Sequence, residues 1–222
     1  MTDYPNLEGF KKAVTEILNF GNHLLYKRQL ASGVFREVKK LQEIGRLLQE
    51  ASRLAESGKS KLRFQALYLG VYEIADQYFC EKRVELARKH GELETEEMRL
   101  GEEAHEALTE GLPTIQQEEV WRRIIKGEEV ILNMQLIAKW KGVIILGRPD
   151  TVYFRRGQPF WLFEYKFTKS RIPQDSHHAQ ARIYSLILDE MGFNTNKLTY
   201  AIVLGDPKLK DHDQWKHLIF PS

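Results

Sequence analysis

The chain has 222 residues, 42% of them hydrophobic and 29% charged, which suits one domain of moderate size or a core with an appendage. Its single cysteine, Cys80, excludes internal disulfides and any zinc-ribbon or iron–sulfur site built from its own thiolates alone. No apolar run approaches the roughly 20 residues that span a bilayer, and the N-terminus lacks the layout of a signal peptide. We therefore expect a cytoplasmic protein with no membrane partner.

Residues 1–60 predict an N-terminal helical extension. Apolar residues recur at three- and four-residue steps from Leu7 to Leu25 and again from Phe35 to Leu54, with a break at Ser32-Gly33. This spacing puts the apolar side chains on one stripe of each of two helices. We expect this helical hairpin to pack on itself or on the rest of the protein. The alternative is that its apolar stripes bind a protein partner.

Residues 61–222 predict a second, α/β unit. Three helices come first, then a strand-rich region, another helix and one or two final strands. The helices are predicted over residues 64–89, 94–110, 117–126 and 176–191. The strands are predicted over residues 130–138, 143–154 with an interruption at 147–149, 160–167, 198–204 and 218–220, as a three-strand meander followed by one or two more. This order predicts a mixed central sheet flanked by helices.

The strand over residues 160–167 carries the most informative pattern. Alternate side chains of a strand share a face, so its four odd-numbered aromatic residues form one face, which we expect a helix to bury. These residues are Trp161, Phe163, Tyr165 and Phe167. Glu164 and Lys166 lie on the opposite face, at the end of an apolar strand. A cross-strand ion pair at the edge of the sheet is the simplest explanation of that pair.

A second carboxylate favours a catalytic explanation. Asp150 lies fourteen positions before Glu164, and the turn at residues 155–158 predicts a hairpin that brings the two carboxylates together. Carboxylate oxygens are the ligands that Mg²⁺ or Mn²⁺ prefers, and such a cation lowers the pKa of bound water. Lys166 can position or deprotonate the attacking water or stabilise developing charge. Two carboxylates and a lysine at one point are the groups that phosphodiester hydrolysis needs.

The chain here resembles a known nuclease superfamily. Asp150 with Glu164-Tyr165-Lys166 is similar to the signature of the PD-(D/E)XK nucleases. Further matches resemble the RecB-like branch of that superfamily, which includes the CRISPR-associated Cas-four exonucleases. These matches are Gly101-Glu102-Glu103-Ala104-His105, Gly147-Arg148-Pro149-Asp150, Gln180-Ala181-Arg182-Ile183-Tyr184 and the segment from Tyr78 to Arg83. The resemblance covers residues 70–205 and implies a restriction-endonuclease-like core over residues 61–222.

The resemblance implies a role for each matching residue. Asp150, Glu164, the main-chain carbonyl of Tyr165 and His105 would hold Mg²⁺ or Mn²⁺, and Lys166 would be the catalytic lysine. Gln180 and Tyr184, four positions apart on one helical face, would orient Lys166 and contact the substrate backbone. Two further residues are candidates for substrate contact because of their positions: Arg148 lies in the turn before Asp150, and His177 lies on the same helical face as Gln180 and Tyr184.

The chain departs from the resembling proteins at its cysteines. Members that carry an iron–sulfur cluster have a cysteine at the position of Cys80 and three more near the C-terminus, where residues 198–222 have none. We therefore expect no iron–sulfur cluster, and we expect Cys80 to be a buried core residue.

The distribution of charge favours a nucleic-acid partner. Residues 139–182 hold nine basic and three acidic residues, a surplus of +6 around the predicted site. Basic residues of this kind contact phosphates without regard to sequence. We predict a metal-dependent DNA nuclease, an exonuclease that prefers single strands or ends. The alternatives are a DNA-binding subunit of a CRISPR-adaptation or repair complex that cuts only with partners, and an RNA-directed or structural module of the same fold.

Overall fold

The computed structural model describes residues 45–47, 49–91, 95–109, 117–133, 135–168, 170, 172–205 and 216–221. It is a mixed α/β fold in which helices flank two mixed β-sheets. After the helical residues 45–47 and 49–56, the described helices are α1 (Val71–His90), α2 (Glu96–Thr109), α3 (Gln117–Ile125) and α4 (Asp175–Glu190). Within these residues, no helix is long and apolar enough to cross a membrane.

Within the described ranges, eight strands form two sheets. They are β1 (Leu69–Gly70), β2 (Val130–Leu132), β3 (Leu136–Trp140), β4 (Val143–Gly147), β5 (Thr151–Arg155), β6 (Gln158–Phe167), β7 (Thr199–Gly205) and β8 (Lys216–Pro221). The three-stranded sheet has the order β1-β4-β3, and the five-stranded sheet has the order β2-β5-β6-β7-β8. The pairs β1–β4 and β6–β7 are parallel and the other pairs are antiparallel.

Helix α4 lies between the sheets and completes the main core. It packs against β3 of the first sheet and against β6 and β7 of the second. Its buried face interlocks with fully buried residues of β6 and β7, and each such large side chain stabilises the fold by about 1.5–3 kcal/mol. The buried residues of this contact include Ala181, Tyr184, Ile187, Leu188, Leu162, Tyr200 and Ile202.

The predicted helices and strands after residue 90 are present, but the predicted three-strand meander is wrong. The single strand predicted over residues 130–138 is two strands, β2 and β3, which belong to different sheets. The segment 143–154 likewise divides into β4 and β5. Alternation of apolar residues continues from Val130 to Ala138 across the first break, so it reports the side-chain period but not the sheet to which a strand belongs. The helix predicted over residues 64–89 begins only at Val71, after a short 3-10 turn and β1.

The hairpin predicted at residues 155–158 is confirmed. Arg155 pairs with Gln158, and the two residues between them, Arg156 and Gly157, have φ angles of 53° and 76°. Positive φ at both central residues is the geometry of a type I′ turn, which matches the twist of the flanking strands. The turn sets the register of β5 against β6, apart from one irregularity between Tyr153 and Phe154.

The expected burial of the aromatic face of β6 is wrong. Trp161 and Phe163 are only half-buried, whereas Leu162 and Glu164 on the opposite face are completely buried. Helix α4 packs on the Leu162 face, and α2 reaches the other face near Phe167. A two-residue period separates the faces of a strand but does not say which one a helix covers.

Most of the predicted N-terminal extension lies outside the described residues. Residues 45–47 and 49–56 are helical, in agreement with the end of the second predicted helix. Leu47 and Ala51 pack against Ile137 and Ile144 of the three-stranded sheet. This end of the extension is therefore part of the packed α/β structure.

Candidate active site

The site lies where β6 continues beyond the start of β5. The last pair between these strands is Thr151 with Phe163, so Asp150 stands one position further on, opposite Glu164. The main-chain N–H of Tyr165 donates to Asp150 Oδ2 at 2.7 Å. From Glu164 to Phe167, β6 continues its pairing with β7 on its other side. The hairpin therefore brings Asp150 and Glu164 together as the sequence predicts.

Glu164 is a completely buried carboxylate with one unsatisfied oxygen. Its Oε2 accepts a hydrogen bond from Lys166 Nζ at 3.2 Å. Its Oε1 is buried and has no hydrogen-bond partner in the part of the chain that the structure describes. Burial raises the pKa of Glu164 to about 8, and the nearby charge of Asp150 acts in the same direction, while Lys166 opposes them. The carboxylate therefore lacks the full counter-charge that a buried anion needs.

Lys166 is oriented by two partners. Its Nζ donates to Gln180 Oε1 of α4 at 2.8 Å as well as to Glu164, and its side chain is 20% exposed. In the part of the chain that the structure describes, these two bonds use two of the three N–H groups of the ammonium, which leaves the third for a ligand from solvent. Gln180 and Lys166 are thus brought together as predicted.

The turn that carries Asp150 is held from two sides. Asn133, in the gap between β2 and β3, donates through Nδ2 to the main-chain carbonyl of Asp150 at 2.7 Å and accepts from Arg148 Nε. On the other side, the hydroxyl of Tyr184 donates to the carbonyl of Arg148 at 2.8 Å. At Gly147, an added Cβ would come within 2.8 Å of Val71 Cβ and 2.9 Å of Tyr184 Cε1. Glycine is therefore required for α1 and α4 to approach this turn so closely.

Tyr184 and Arg148 occupy different environments. Tyr184 is buried in the core, and burial together with the charge of Glu164 raises the pKa of its phenol well above the ordinary range. Its hydroxyl therefore stays protonated and serves the turn. Arg148 is exposed beside Asp150, where its guanidinium can meet solvent or substrate.

His177 lies at the start of α4, within electrostatic reach of Lys166. Its Nδ1 accepts a hydrogen bond from the main-chain N–H of Gln174 at 3.2 Å. Burial lowers the pKa of His177 to about 4, and the positive charge of Lys166 contributes. The ring is neutral at neutral pH and carries its proton on Nε2, which makes that atom a donor.

The donor set of the site fits a hard divalent cation. Asp150 and Glu164 supply carboxylate oxygens, the preferred ligands of Mg²⁺ and Mn²⁺. Within the described ranges, no group of three or more histidine, cysteine or acidic side chains could hold a metal ion. Residue 105 belongs to α2, and Gly101 one turn earlier packs near Phe167 at the end of β6. The side chain of His105 lies outside the described residues, so its predicted part in the site stays a prediction, as does that of the Tyr165 carbonyl.

Two residues near the site escape sequence analysis. Asn133 falls inside what the sequence predicts as a continuous strand, and no pattern marks it. Asp76 of α1 is mostly buried, and burial raises its pKa against the opposing effects of Arg83, Tyr72 and Lys166. Helix α1 packs against α4, the helix that carries Gln180. The helical spacing of Tyr72, Asp76 and Arg83 could have indicated a shared face, but not what that face meets.

The expectation of a buried Cys80 is wrong. The side chain of Cys80 is exposed. Its backbone is extended (φ −163°, ψ 106°) rather than helical, so it interrupts α1. Its neighbours from Gln77 to Lys82 are exposed as well, so this part of α1 lies outside the core. The expectation that the protein holds no iron–sulfur cluster stays a prediction.

Comparison with known proteins leaves the family open. No protein-family model matches the chain, and no curated protein matches it. A solved structure titled "Crystal structure of SSO0001" is similar over 79% of this chain and 76% of that one, with 18% sequence identity and a TM-score of 0.39. A similarity this weak supports no argument about fold or function. The case for a function therefore depends on the site itself.

Proposed function

We propose that the protein is a metal-dependent deoxyribonuclease that hydrolyses phosphodiester bonds, with the restriction-endonuclease-like core of the RecB-like branch. The observation that carries the proposal is the buried Oε1 of Glu164, which has no hydrogen-bond partner among the described residues and lies beside a second carboxylate. The proposal also includes Mg²⁺ or Mn²⁺ as the cofactor, held by Asp150 and Glu164, with His105 and the Tyr165 carbonyl completing the set.

The unsatisfied oxygen argues for a ligand because burial of this kind is costly. Buried polar atoms in proteins almost always find a partner, and an uncompensated buried carboxylate destabilises the fold. Among the described residues, Lys166 is hydrogen-bonded to Oε2 and Oε1 has no partner, and the charge of Asp150 disfavours the ionised form of Glu164 although the main-chain N–H of Asp150 and Lys166 act in the opposite direction. A divalent cation between the carboxylates would satisfy the free oxygen and remove the repulsion. The structural explanation, an ion pair with Lys166, accounts for only one of the two oxygens.

The remaining groups have roles that suit phosphodiester hydrolysis. A bound Mg²⁺ or Mn²⁺ would supply Lewis-acid polarisation of the phosphoryl group and a lowered pKa for water. Lys166 donates its third N–H to the attacking water or to a phosphoryl oxygen. Gln180 holds Lys166 in place, and Tyr184 and Asn133 hold the turn that carries Asp150.

Positive charge at the site favours a nucleic-acid substrate, and the proposal takes this to be DNA. Lys166 and the exposed Arg148 lie at the site, whereas Arg155 and Arg156, which count toward the surplus of +6 over residues 139–182, lie at the turn at the opposite end of the hairpin. His177 offers its Nε2–H close to Lys166, where a phosphate would be neutralised. Such contacts bind the backbone without sequence preference and weaken as salt increases. The proposal takes the preference for single strands or ends, and the exonuclease mode, from the sequence resemblance.

The deciding experiment is cleavage of end-labelled single- and double-stranded DNA with Mg²⁺ or Mn²⁺. We expect wild-type protein to cut only with metal, and Lys166→Ala to cut at least about a hundredfold more slowly, because a positioned charge at the reacting phosphate is lost. Lys126→Ala is the matched control, since Lys126 is exposed beside the β5–β6 turn at the opposite end of the hairpin. Its activity should equal that of wild type.

Three results would contradict the proposal. Full activity of Lys166→Ala would show that the site is wrongly assigned. Cleavage of DNA in the presence of EDTA would show that the reaction does not need a divalent metal ion. Binding of DNA without cleavage by wild type would favour the partner-dependent subunit instead. Titration with Mn²⁺ followed by electron paramagnetic resonance gives a separate readout, because Glu164→Gln should lose the bound signal.

A further inference from the structure

Arg148 is an exposed cation on a constrained stretch of backbone beside the site. Its main-chain carbonyl accepts a hydrogen bond from the hydroxyl of the buried Tyr184 at 2.8 Å. The next residue, Pro149, is buried, and a proline disfavours helical backbone conformations at the residue before it. Asp150, a carboxylate of the candidate active site, follows directly. The backbone of Arg148 therefore has a defined position two residues from a proposed metal ligand.

The side chain of Arg148 is held by Asn133. Its Nε donates to Asn133 Oδ1, and Asn133 Nδ2 donates to the main-chain carbonyl of Asp150 at 2.7 Å. One carboxamide therefore joins the guanidinium to the turn that carries Asp150. The reverse orientation of the carboxamide would set two donors against each other at Arg148 and two acceptors against each other at Asp150. The two hydrogen bonds thus fix the orientation of Asn133 and, through it, that of the guanidinium.

The contact with Asn133 leaves the outer edge of the guanidinium open. An arginine has five N–H groups in a planar fork, and the bond to Asn133 uses the one on Nε. Within the described residues, no hydrogen bond or ion pair occupies the four N–H groups of the two Nη atoms of Arg148. Two parallel N–H groups at this edge match two oxygens of a phosphate, and such bidentate contacts are stronger than neutral hydrogen bonds.

We propose that Arg148, positioned by Asn133, binds two non-bridging oxygens of one backbone phosphate of the substrate strand. Asn133 is the positioning residue of this phosphate site, because it orders the guanidinium before the strand arrives and so lowers the entropy that binding costs. The site accepts any sequence, since phosphates carry no sequence information. The inference depends on the proposed function, because it names how the same site holds the backbone of its substrate.

The test is binding of a dye-labelled oligothymidylate in EDTA, measured by fluorescence anisotropy over a range of salt concentrations. Arg148→Ala should weaken binding about tenfold, because a charge-assisted contact is lost. It should also reduce the slope of log Kd against log salt by about 0.7, the contribution of one phosphate contact on a single strand. Arg148→Lys keeps the charge but not the fork, so it should keep the slope and still weaken binding.

Arg156→Asn is the matched control for loss of an exposed arginine. Arg156 lies in the β5–β6 turn at the opposite end of the hairpin, and asparagine tolerates the positive φ of that position. Its affinity for the oligonucleotide should stay within about twofold of wild type, a difference of no more than one rim contact. Equal weakening by Arg156→Asn and Arg148→Ala would overturn the phosphate site, because charge alone would then explain binding. Wild-type affinity of Arg148→Ala, or failure of wild type to bind, would overturn it as well.

A double variant tests the positioning role of Asn133. Asn133→Ala alone should weaken binding about threefold, because the strand must then order the arginine itself. In the Arg148→Ala background the same change should have no further effect, because Asn133 acts on the phosphate only through the guanidinium. A further loss in the double variant would show a general structural role and overturn the positioning role. Wild-type affinity of Asn133→Ala would overturn it too.

Failure of this inference is distinguishable from failure of the nuclease proposal. Binding in EDTA requires neither metal nor cleavage. A protein that binds through Arg148 yet never cuts DNA would retain the phosphate site while the nuclease proposal fails. A protein that cuts DNA with Mg²⁺ or Mn²⁺, but whose affinity Arg148→Ala does not change, would retain the nuclease and lose the phosphate site.

Discussion

The two faces of β6 carry the reverse of the usual distribution of side chains. On the face under α4, Leu162 and the charged Glu164 are completely buried. On the other face, Trp161 and Phe163 stack with their ring centres 5.8 Å apart and remain half-buried. Charged residues are rarely buried without full pairing, whereas aromatic rings usually are buried. The difference shows that a completely buried position in this sheet is occupied by a carboxylate, at a cost in stability that the proposed metal site would explain.

Truncation of neighbouring residues on the two faces should give the largest contrast. Leu162→Ala should lower the free energy of unfolding by about 2–5 kcal/mol, because it opens a cavity in the core beneath α4. Phe163→Ala removes a larger side chain but should cost less, because its site is already half open to solvent. Equilibrium unfolding in urea measures both. A larger cost for Phe163→Ala would mean that the aromatic face carries the core.

Replacement of the buried carboxylate of Glu164 should leave the free energy of unfolding unchanged or raise it, in contrast to Leu162→Ala. We expect Glu164→Leu, measured in EDTA, to keep or raise the free energy of unfolding by about 1 kcal/mol, because an unsatisfied buried oxygen is replaced by an apolar group of similar volume. The same variant should lose metal-dependent cleavage. Glu164→Gln keeps the shape and is the control for packing. A clear loss of stability in both variants would show that the ion pair with Lys166 stabilises the fold and would weaken the functional explanation.

The smallest expected effect is the pH dependence of stability that comes from His177, at the start of α4. The pKa of His177 falls to about 4, below its ordinary value of 6.5, chiefly through burial. Below pH 6.5 the unfolded chain therefore takes up the proton first, and the free energy of unfolding falls as the pH decreases toward 4; above pH 6.5 this contribution is constant. Because the ring is only partly buried, we expect a change of about 1 kcal/mol or less.

The variant His177→Gln should flatten this pH dependence. Thermal melting between pH 4 and pH 7 measures it. His178→Gln, at the neighbouring and less buried histidine, is the comparison and should change the pH dependence less. A wild-type stability that does not change below pH 6.5 would show that the ring of His177 is open to solvent rather than partly buried.

The central geometry of the site could be predicted because it depends on local rules. The turn at Arg156-Gly157 sets the register of a hairpin, and the register then places Asp150 opposite Glu164. The contact between Gln180 and Lys166 came from the motif resemblance and is present in the structure. Asn133 and Asp76 could not be predicted, because each comes from an element whose position depends on packing far along the chain.

The sequence by itself determined the periods, the turn and the charged groups of β6, because these follow from neighbouring residues and from strand and helix geometry. Only the tertiary structure decided that α4 covers the Glu164 face and that residues 130–138 divide between two sheets. Those outcomes depend on which apolar surfaces bury one another, and burial is a sum over contacts between distant segments. A pattern of neighbouring residues therefore does not determine which distant surfaces pack together.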